Sequence, residues 1–177
     1  MKLIKLGAII ITSIIVFLIG IAYLLPNEYG VTRSIMIKAS PEKIFPYLVT
    51  PKEWTKWSVW NQRDPNMLMT YNGIPSGQGA SWTWQSKSQG NGSMTFTQIA
   101  ENVSIKYELQ FEGMGKASIG TLMLENKGEM TELTWTMTGN SQGNFMMKLF
   151  APFMNQMVGP DFEAGLTSLK TLLEKSN

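Results

Sequence analysis

The side chains that most enzymes use for proton transfer and nucleophilic attack are missing from this sequence. Its 177 residues include no Cys and no His. That excludes thiol nucleophiles, disulfides, thiolate metal sites and Ser-His-Asp or Cys-His triads, and it removes the commonest zinc ligand. Acid/base chemistry would fall to tyrosines and carboxylates. The only aspartates are Asp64 and Asp161. Asp64 precedes Pro65, as a turn residue would. Asp161 follows Pro160, where an acid stabilises a helix start, with Glu163 close by. Arg33 and Arg63 are the only arginines; both are expected in solvent, the alternative being a clamp on an anionic group. No acid falls on the apolar face of the clearest strands, where an unpaired carboxylate would be costly. Gly73, Gly77 and Gly79 precede no helix and form no phosphate cradle. No catalytic constellation emerges, and neither a metal nor a cofactor is expected.

What remains is a set of rings and thioethers. Trp54, Trp57 and Trp60 fall at three-residue steps. Trp82 with Trp84, Tyr107 with Phe111, and Trp135 with Met137 each share a face of an alternating segment. A later segment holds Met146, Met147, Met154 and Met157, and unbranched Met suits a surface that accepts varied apolar shapes. The residues expected to touch an apolar ligand are Trp57, Trp60, Tyr71, Trp82, Trp84, Tyr107, Phe111, Trp135, Met147, Phe150 and Met154. Tyr71 and Tyr107 offer a hydroxyl to its polar end. For each of these residues the alternative is ordinary core packing.

The elements that must position these residues follow from periodicity. Val31–Lys38 reads as a first strand with Val31, Ile35 and Ile37 on one face. Ser40-Pro41-Glu42 and Thr50-Pro51-Lys52-Glu53 open two short helices, the second with capping-box spacing. Alternating runs around Met69, Trp82, Phe96, Tyr107, Leu122 and Trp135 give six or seven antiparallel strands with one polar face. Gln89-Gly90-Asn91-Gly92 marks a hairpin. The last third is helical. Pro152 is expected to kink it and Gly159-Pro160 to break or bend it, before Phe162, Leu166, Leu169 and Leu173 run at helical steps. That long helix is the cover the sheet needs.

Ahead of all this, Leu6–Leu25 is a 20-residue run without a charge. At about 1.5 Å per residue it spans roughly 30 Å, a bilayer's hydrocarbon core. Residues 1–26 are read as a transmembrane anchor and residues 27–177 as one folded domain. Lys2 and Lys5 precede the run, so the positive-inside rule puts the N-terminus in the cytoplasm and the domain on the extracytoplasmic side. The alternative is a signal peptide cleaved after Gly20-Ile21-Ala22, although the run exceeds the usual h-region. Those two lysines also account for the net charge of +2, so the rest is balanced. A balanced domain lacks the electrostatic footprint of a nucleic-acid binder.

The chain resembles the polyketide cyclase/dehydrase-like branch of the START/Bet v 1 (SRPBCC) superfamily over roughly residues 29–174. The resemblance rests on Arg33-Ser34-Ile35-Met36-Ile37 with Ser40-Pro41-Glu42, on Trp54-Thr55-Lys56-Trp57-Ser58-Val59-Trp60 and on Asp64-Pro65-Asn66-Met67. Gly120-Thr121-Leu122, Leu133-Thr134-Trp135-Thr136-Met137 and Met157–Glu163 complete it. The resemblance implies an α+β helix-grip fold: a curved antiparallel sheet of six to seven strands wrapped on a long C-terminal helix, with two short helices after strand 1. It also implies an apolar cavity between sheet and helix. The expected function is binding of a small apolar or lipid-like molecule close to a membrane. A cyclase/dehydratase-like enzyme and an envelope protein-interaction module are the alternatives.

Overall fold

A computed structural model of the chain describes residues 2–141 and 143–175; Met1, Gln142, Ser176 and Asn177, which include the outer ends of the two expected segments, lie outside the described residues. The chain starts with helix α1 (Lys2–Leu24), long and apolar enough to cross a bilayer by length and composition. Strand β1 (Glu28–Ile37) follows within a few residues. Helix α2 (Pro41–Val49), a 3-10 turn (Pro51–Lys56) and helix α3 (Val59–Arg63) come next. Six strands then run in sequence: β2 (Leu68–Asn72), β3 (Ser81–Gln85), β4 (Gly92–Ala100), β5 (Ser104–Phe111), β6 (Ser118–Asn126) and β7 (Thr131–Asn140). Helix α4 (Phe145–Phe150), a 3-10 turn (Ala151–Phe153) and helix α5 (Met154–Lys175) complete the order.

The strands form one antiparallel sheet in the order β1-β7-β6-β5-β4-β3-β2. Meander connections keep sequential strands adjacent, and β1 closes onto β7 over a ten-residue register from Glu28↔Asn140 to Ile37↔Thr131. A bulge between Phe96 and Gln98 bends the sheet. Alternation then sets the layers. Ile105 and Tyr107 are buried on one face while Lys106 and Glu108 on the other are exposed. Phe162, Leu166, Leu169 and Leu173 are buried along α5, at the four- and three-residue steps of one helix face. This is the helix-grip architecture: a curved seven-stranded sheet holding a long C-terminal helix.

Local expectations differ from the structure in three places. Thr50 does not cap the following segment; its hydroxyl bonds Ser76, and Pro51–Lys56 winds as a 3-10 turn rather than an α-helix. Ser40 likewise makes no capping bond to the backbone; it bonds the Glu42 carboxylate, and this holds that group below the usual carboxylate range. The break in the C-terminal helix falls at Pro152, while α5 runs unbroken through Gly159-Pro160. Proline forfeits one backbone bond there, and the buried stripe beyond it keeps the helix in register.

The arginines differ too. Arg33 on β1 reaches across to α5, where its Nε donates to Glu163 and its Nη1 to Asn155 Oδ1 at 2.8 Å. A side chain at Gly159 would collide with that guanidinium. Arg63 at the end of α3 makes a two-pronged pair with Asp161, Nη1 to Oδ2 at 2.9 Å and Nη2 to Oδ1. The Asp161 carboxylate holds the Arg63 guanidinium above its ordinary range. Both arginines therefore fasten α5 to the rest of the fold, and Asp161 serves that pair instead of a helix start. Asp64 is a turn residue as expected, accepting from the Asn66 N–H at 3.0 Å.

Candidate functional site

The interior is filled at one end and open at the other. At the filled end Trp135 of β7 stacks on Phe162 of α5, with centroids 3.9 Å apart and planes 11° from parallel. Trp54 and Trp57 pack edge-on against Trp135 at 5.8 and 5.5 Å. Beyond them lies a cavity of about 160 Å³ between the sheet and the helical layer. The sheet contributes Trp82, Trp84, Met94, Tyr107, Leu109, Phe111, Trp135 and Met137, and edge strand β2 with its approach adds Met69 and Met67. The helical side contributes Trp54, Ser58, Trp60, Asn61, Met147, Met154, Val158 and Phe162. The exposed residues Met114 and Lys116 stand at the rim, with Tyr29, Gln89 and Ser118.

A glycine opposite each of three rings keeps this space open. Tyr107 pairs with Gly120 on β6, Trp84 with Gly92 on β4 and Tyr29 with Gly139 on β7. In each pair the ring lies across the glycine, and a Cβ there would overlap ring atoms. The rings lie down along the sheet because the neighbouring strand carries no side chain at that point.

Polar groups in the wall are few and of one kind. The Trp135 indole N–H donates to Tyr107 Oη at 2.6 Å, which leaves the Tyr107 hydroxyl hydrogen without an acceptor among the described residues. Burial pushes the Tyr107 phenol well above the usual tyrosine range, and the Trp135 bond only partly opposes this. The hydroxyl therefore keeps its hydrogen, which is available to an acceptor placed in the cavity. Ser58, also buried, brings a second hydroxyl to the wall. Tyr29 and Ser118 bond each other at 3.1 Å at the rim. No described carboxylate lines the cavity, and Lys116 is its one charged residue. The described residues contain no cluster of metal-ligating side chains. The arrangement can take an apolar body and hydrogen-bond an acceptor atom on it.

Of the residues expected at a ligand site, Trp60, Trp82, Trp84, Tyr107, Phe111, Trp135, Met147 and Met154 come together around this cavity. Trp57 does not. It is fully buried beneath Trp54, beside Gly165 of α5, and its indole N–H donates to the Tyr47 carbonyl at 3.1 Å. Tyr71 lies outside the wall as well, half-buried on edge strand β2 under the Lys52 ammonium, and burial raises its phenol pKa. Phe150 faces outward and is 44% exposed. Among the wall residues that the sequence reading passed over, Val158 and Phe162 follow Met154 at four-residue steps, a helical spacing already visible in the chain. Tyr29 was out of reach because β1 begins at Glu28, ahead of the Val31 start that alternation suggests.

Similar proteins agree with this fold. The structure of protein CV1439 from Chromobacterium violaceum superposes with a TM-score of 0.61 at 13% identity, covering 82% of this chain and 96% of that one. Ara h 8.0201 superposes with a TM-score of 0.61 at 12% identity, covering 85% and 99%. The Aha1 dimer from Colwellia psychrerythraea gives 0.56 at 21% identity, covering 82% and 96%. At such identities the likeness concerns the fold alone. No curated protein sequence matches this one. Residues 29–174 match a family description, and with the seven-stranded sheet, the long closing helix and the cavity between them they identify the chain as a member of the polyketide cyclase/dehydrase and lipid transport family.

Proposed function

We propose that this protein is a membrane-anchored binding domain that holds a small apolar or amphiphilic molecule, non-covalently, between its sheet and its C-terminal helices. The observation that carries this reading is the cavity itself: a ring- and thioether-lined space, open at one end, that borders a buried hydroxyl whose hydrogen has no acceptor among the described residues. Family and fold support a ligand-binding domain. An apolar void of about 150 Å³ holds a benzene-sized molecule, so the space as it stands admits a ring or a short acyl stretch. Seven of its lining residues are methionines, whose thioether chains give way to larger shapes. Tyr107 and Ser58 favour a ligand that carries a carbonyl, ether or other acceptor on its apolar frame. The absence of wall carboxylates among the described residues disfavours a cationic one.

Helix α1 supports the anchored part of the reading by its length and by the uncharged run that follows Lys2 and Lys5 in its first turns. The domain then lies on the extracytoplasmic side. Two experiments test this. The full chain, purified in mild detergent and sprayed under native conditions, is expected to carry a co-purifying small molecule. Met69→Trp, which fills the cavity from its β2 wall, is expected to strip it. Full-length protein that flies empty and takes up no apolar probe would refute the binding reading. Protease added to spheroplasts stripped of any outer envelope is expected to remove a C-terminal tag, and protection of that tag would refute the topology.

A further inference from the structure

Residues 145–158 carry two apolar stripes where a globular protein has use for one. Met147, Ala151, Met154 and Val158 stand at four-, three- and four-residue steps; Ala151 is buried and the other three line the cavity. Met146, Phe150, Phe153 and Met157 repeat those steps one residue earlier and so share the adjacent face. This second stripe is exposed, with values of 57%, 44%, 57% and 55%. Four large apolar side chains in one strip are far from the scattered single exposures normal on a soluble surface.

Two features identify what covers the strip. The first is continuity with α1. That helix touches α4, and Ala22 near its end is buried. The backbone N–H and the hydroxyl of Ser141 both donate to the Asn27 carbonyl, at 2.7 and 2.8 Å. The strip therefore begins beside the point where the chain leaves α1, whose last residues Tyr23 and Leu24 are themselves exposed. The second is charge. Lys148 is the only charged residue from Leu133 to Pro160, so no acid on this stretch opposes anionic headgroups.

We infer that the outer face of residues 145–157 is seated in the bilayer surface, so that α4, the turn after it and the start of α5 have lipid on one face and the ligand cavity on the next. This rests on the reading of α1 as a membrane span, and the test separates the two.

The chain has no cysteine, so single spin labels can be placed in the full-length protein at Phe150→Cys, Phe153→Cys, Ile14→Cys in α1 and Glu101→Cys on a distant turn. In proteoliposomes of phosphatidylcholine with phosphatidylglycerol, relaxation by dissolved oxygen reports lipid and relaxation by a water-soluble nickel chelate reports water. Labels at 150, 153 and 14 are expected to respond to oxygen and escape nickel, while the label at 101 responds to nickel. If 14 is in lipid but 150 and 153 relax with nickel, the seating is wrong and the anchor stands. If all four relax with nickel, both readings fail. Labels at 150 and 153 shielded from both reagents, with dipolar broadening between copies, would assign the strip to a protein contact and overturn the inference.

Discussion

The ring of Tyr107 lies across Gly120, its direct partner on the next strand, at a point where a single methyl group would overlap it. The hydroxyl at the end of that ring accepts the Trp135 indole hydrogen and borders the cavity. Gly120 thus sets both the position of a buried polar group and the volume beside it. Gly120→Ala is expected to destabilise the protein by about 2 kcal/mol, the scale of forced overpacking, and to shrink the cavity as the ring lifts. Thermal melting checks the first effect. The same substitution in a Tyr107→Leu background is expected to cost much less, because the two residues are in contact and their effects do not add.

Tyr107 also predicts a pH dependence. Its phenol is held above the unfolded value of about 10 because the ionised form would be buried. A group whose folded pKa is raised contributes stability that is fully present below the unfolded pKa and declines as pH rises above it. Denaturation measured from pH 8 to 11.5 is expected to show stability falling above about pH 10, with a shallower fall in Tyr107→Phe. At pH 7 that variant loses about 1–3 kcal/mol, since the Trp135 indole hydrogen is left buried without an acceptor. Equal alkaline slopes in the two proteins would contradict the assignment.

Trp57 and Trp60, three residues apart, are expected to behave differently. Trp57 is wholly enclosed, so Trp57→Ala should cost about 3–5 kcal/mol, as large-to-small core changes do. Trp60 stands in the cavity wall, edge-on to Trp135 at 6.0 Å and Phe162 at 6.2 Å. Trp60→Ala should cost only about 1 kcal/mol while enlarging the space. The check is a pair of measurements: unfolding midpoints for both variants and affinity for an apolar probe. Stability loss should dominate in the first variant and altered affinity in the second.

The Arg63–Asp161 pair joins α3 to α5 across the side of the cavity that carries Trp60 and Asn61. Arg63 is 47% exposed and Asp161 13%, so solvent screens the pair and its worth is about 0.5–1 kcal/mol. Asp161→Asn should lower stability by that amount. Molar salt should reduce the difference between variant and parent. A faster release of bound probe from the variant is expected as well, because α3 is then held less firmly.

Periodic features were legible in the sequence and single long-range contacts were not. The alternation of Ile105, Tyr107, Leu109 and Phe111 against charged neighbours gave β5, because one face of the sheet meets water and the other does not. The stripe from Phe162 to Leu173 gave the closing helix for the same reason. Pro160 misled because a local breaking signal was outweighed by burial on both sides of it. Arg33 looked like an ordinary surface cation, since its partners on α5 lie more than a hundred residues away and Gly159 is what admits it. Trp57 and Trp60 could not be told apart by type or spacing. The 3-10 turn at Pro51–Lys56 decides which indole points into packing and which into space. Phe150 has the apolar character of a cavity residue, and one residue of helical phase separates it from the wall.

The six tryptophans of the chain have a spectroscopic consequence. Trp54, Trp57, Trp60, Trp82, Trp84 and Trp135 all line the cavity or pack directly beneath it, and several sit within 6 Å of one another. The near-ultraviolet absorption and emission of the molecule therefore arise almost wholly at the site. An occupant that displaces water or shifts one indole alters the signal of the whole set, because excitation passes among rings at such separations. The protein carries an intrinsic fluorophore array around its cavity, with no distant tryptophan to dilute the change.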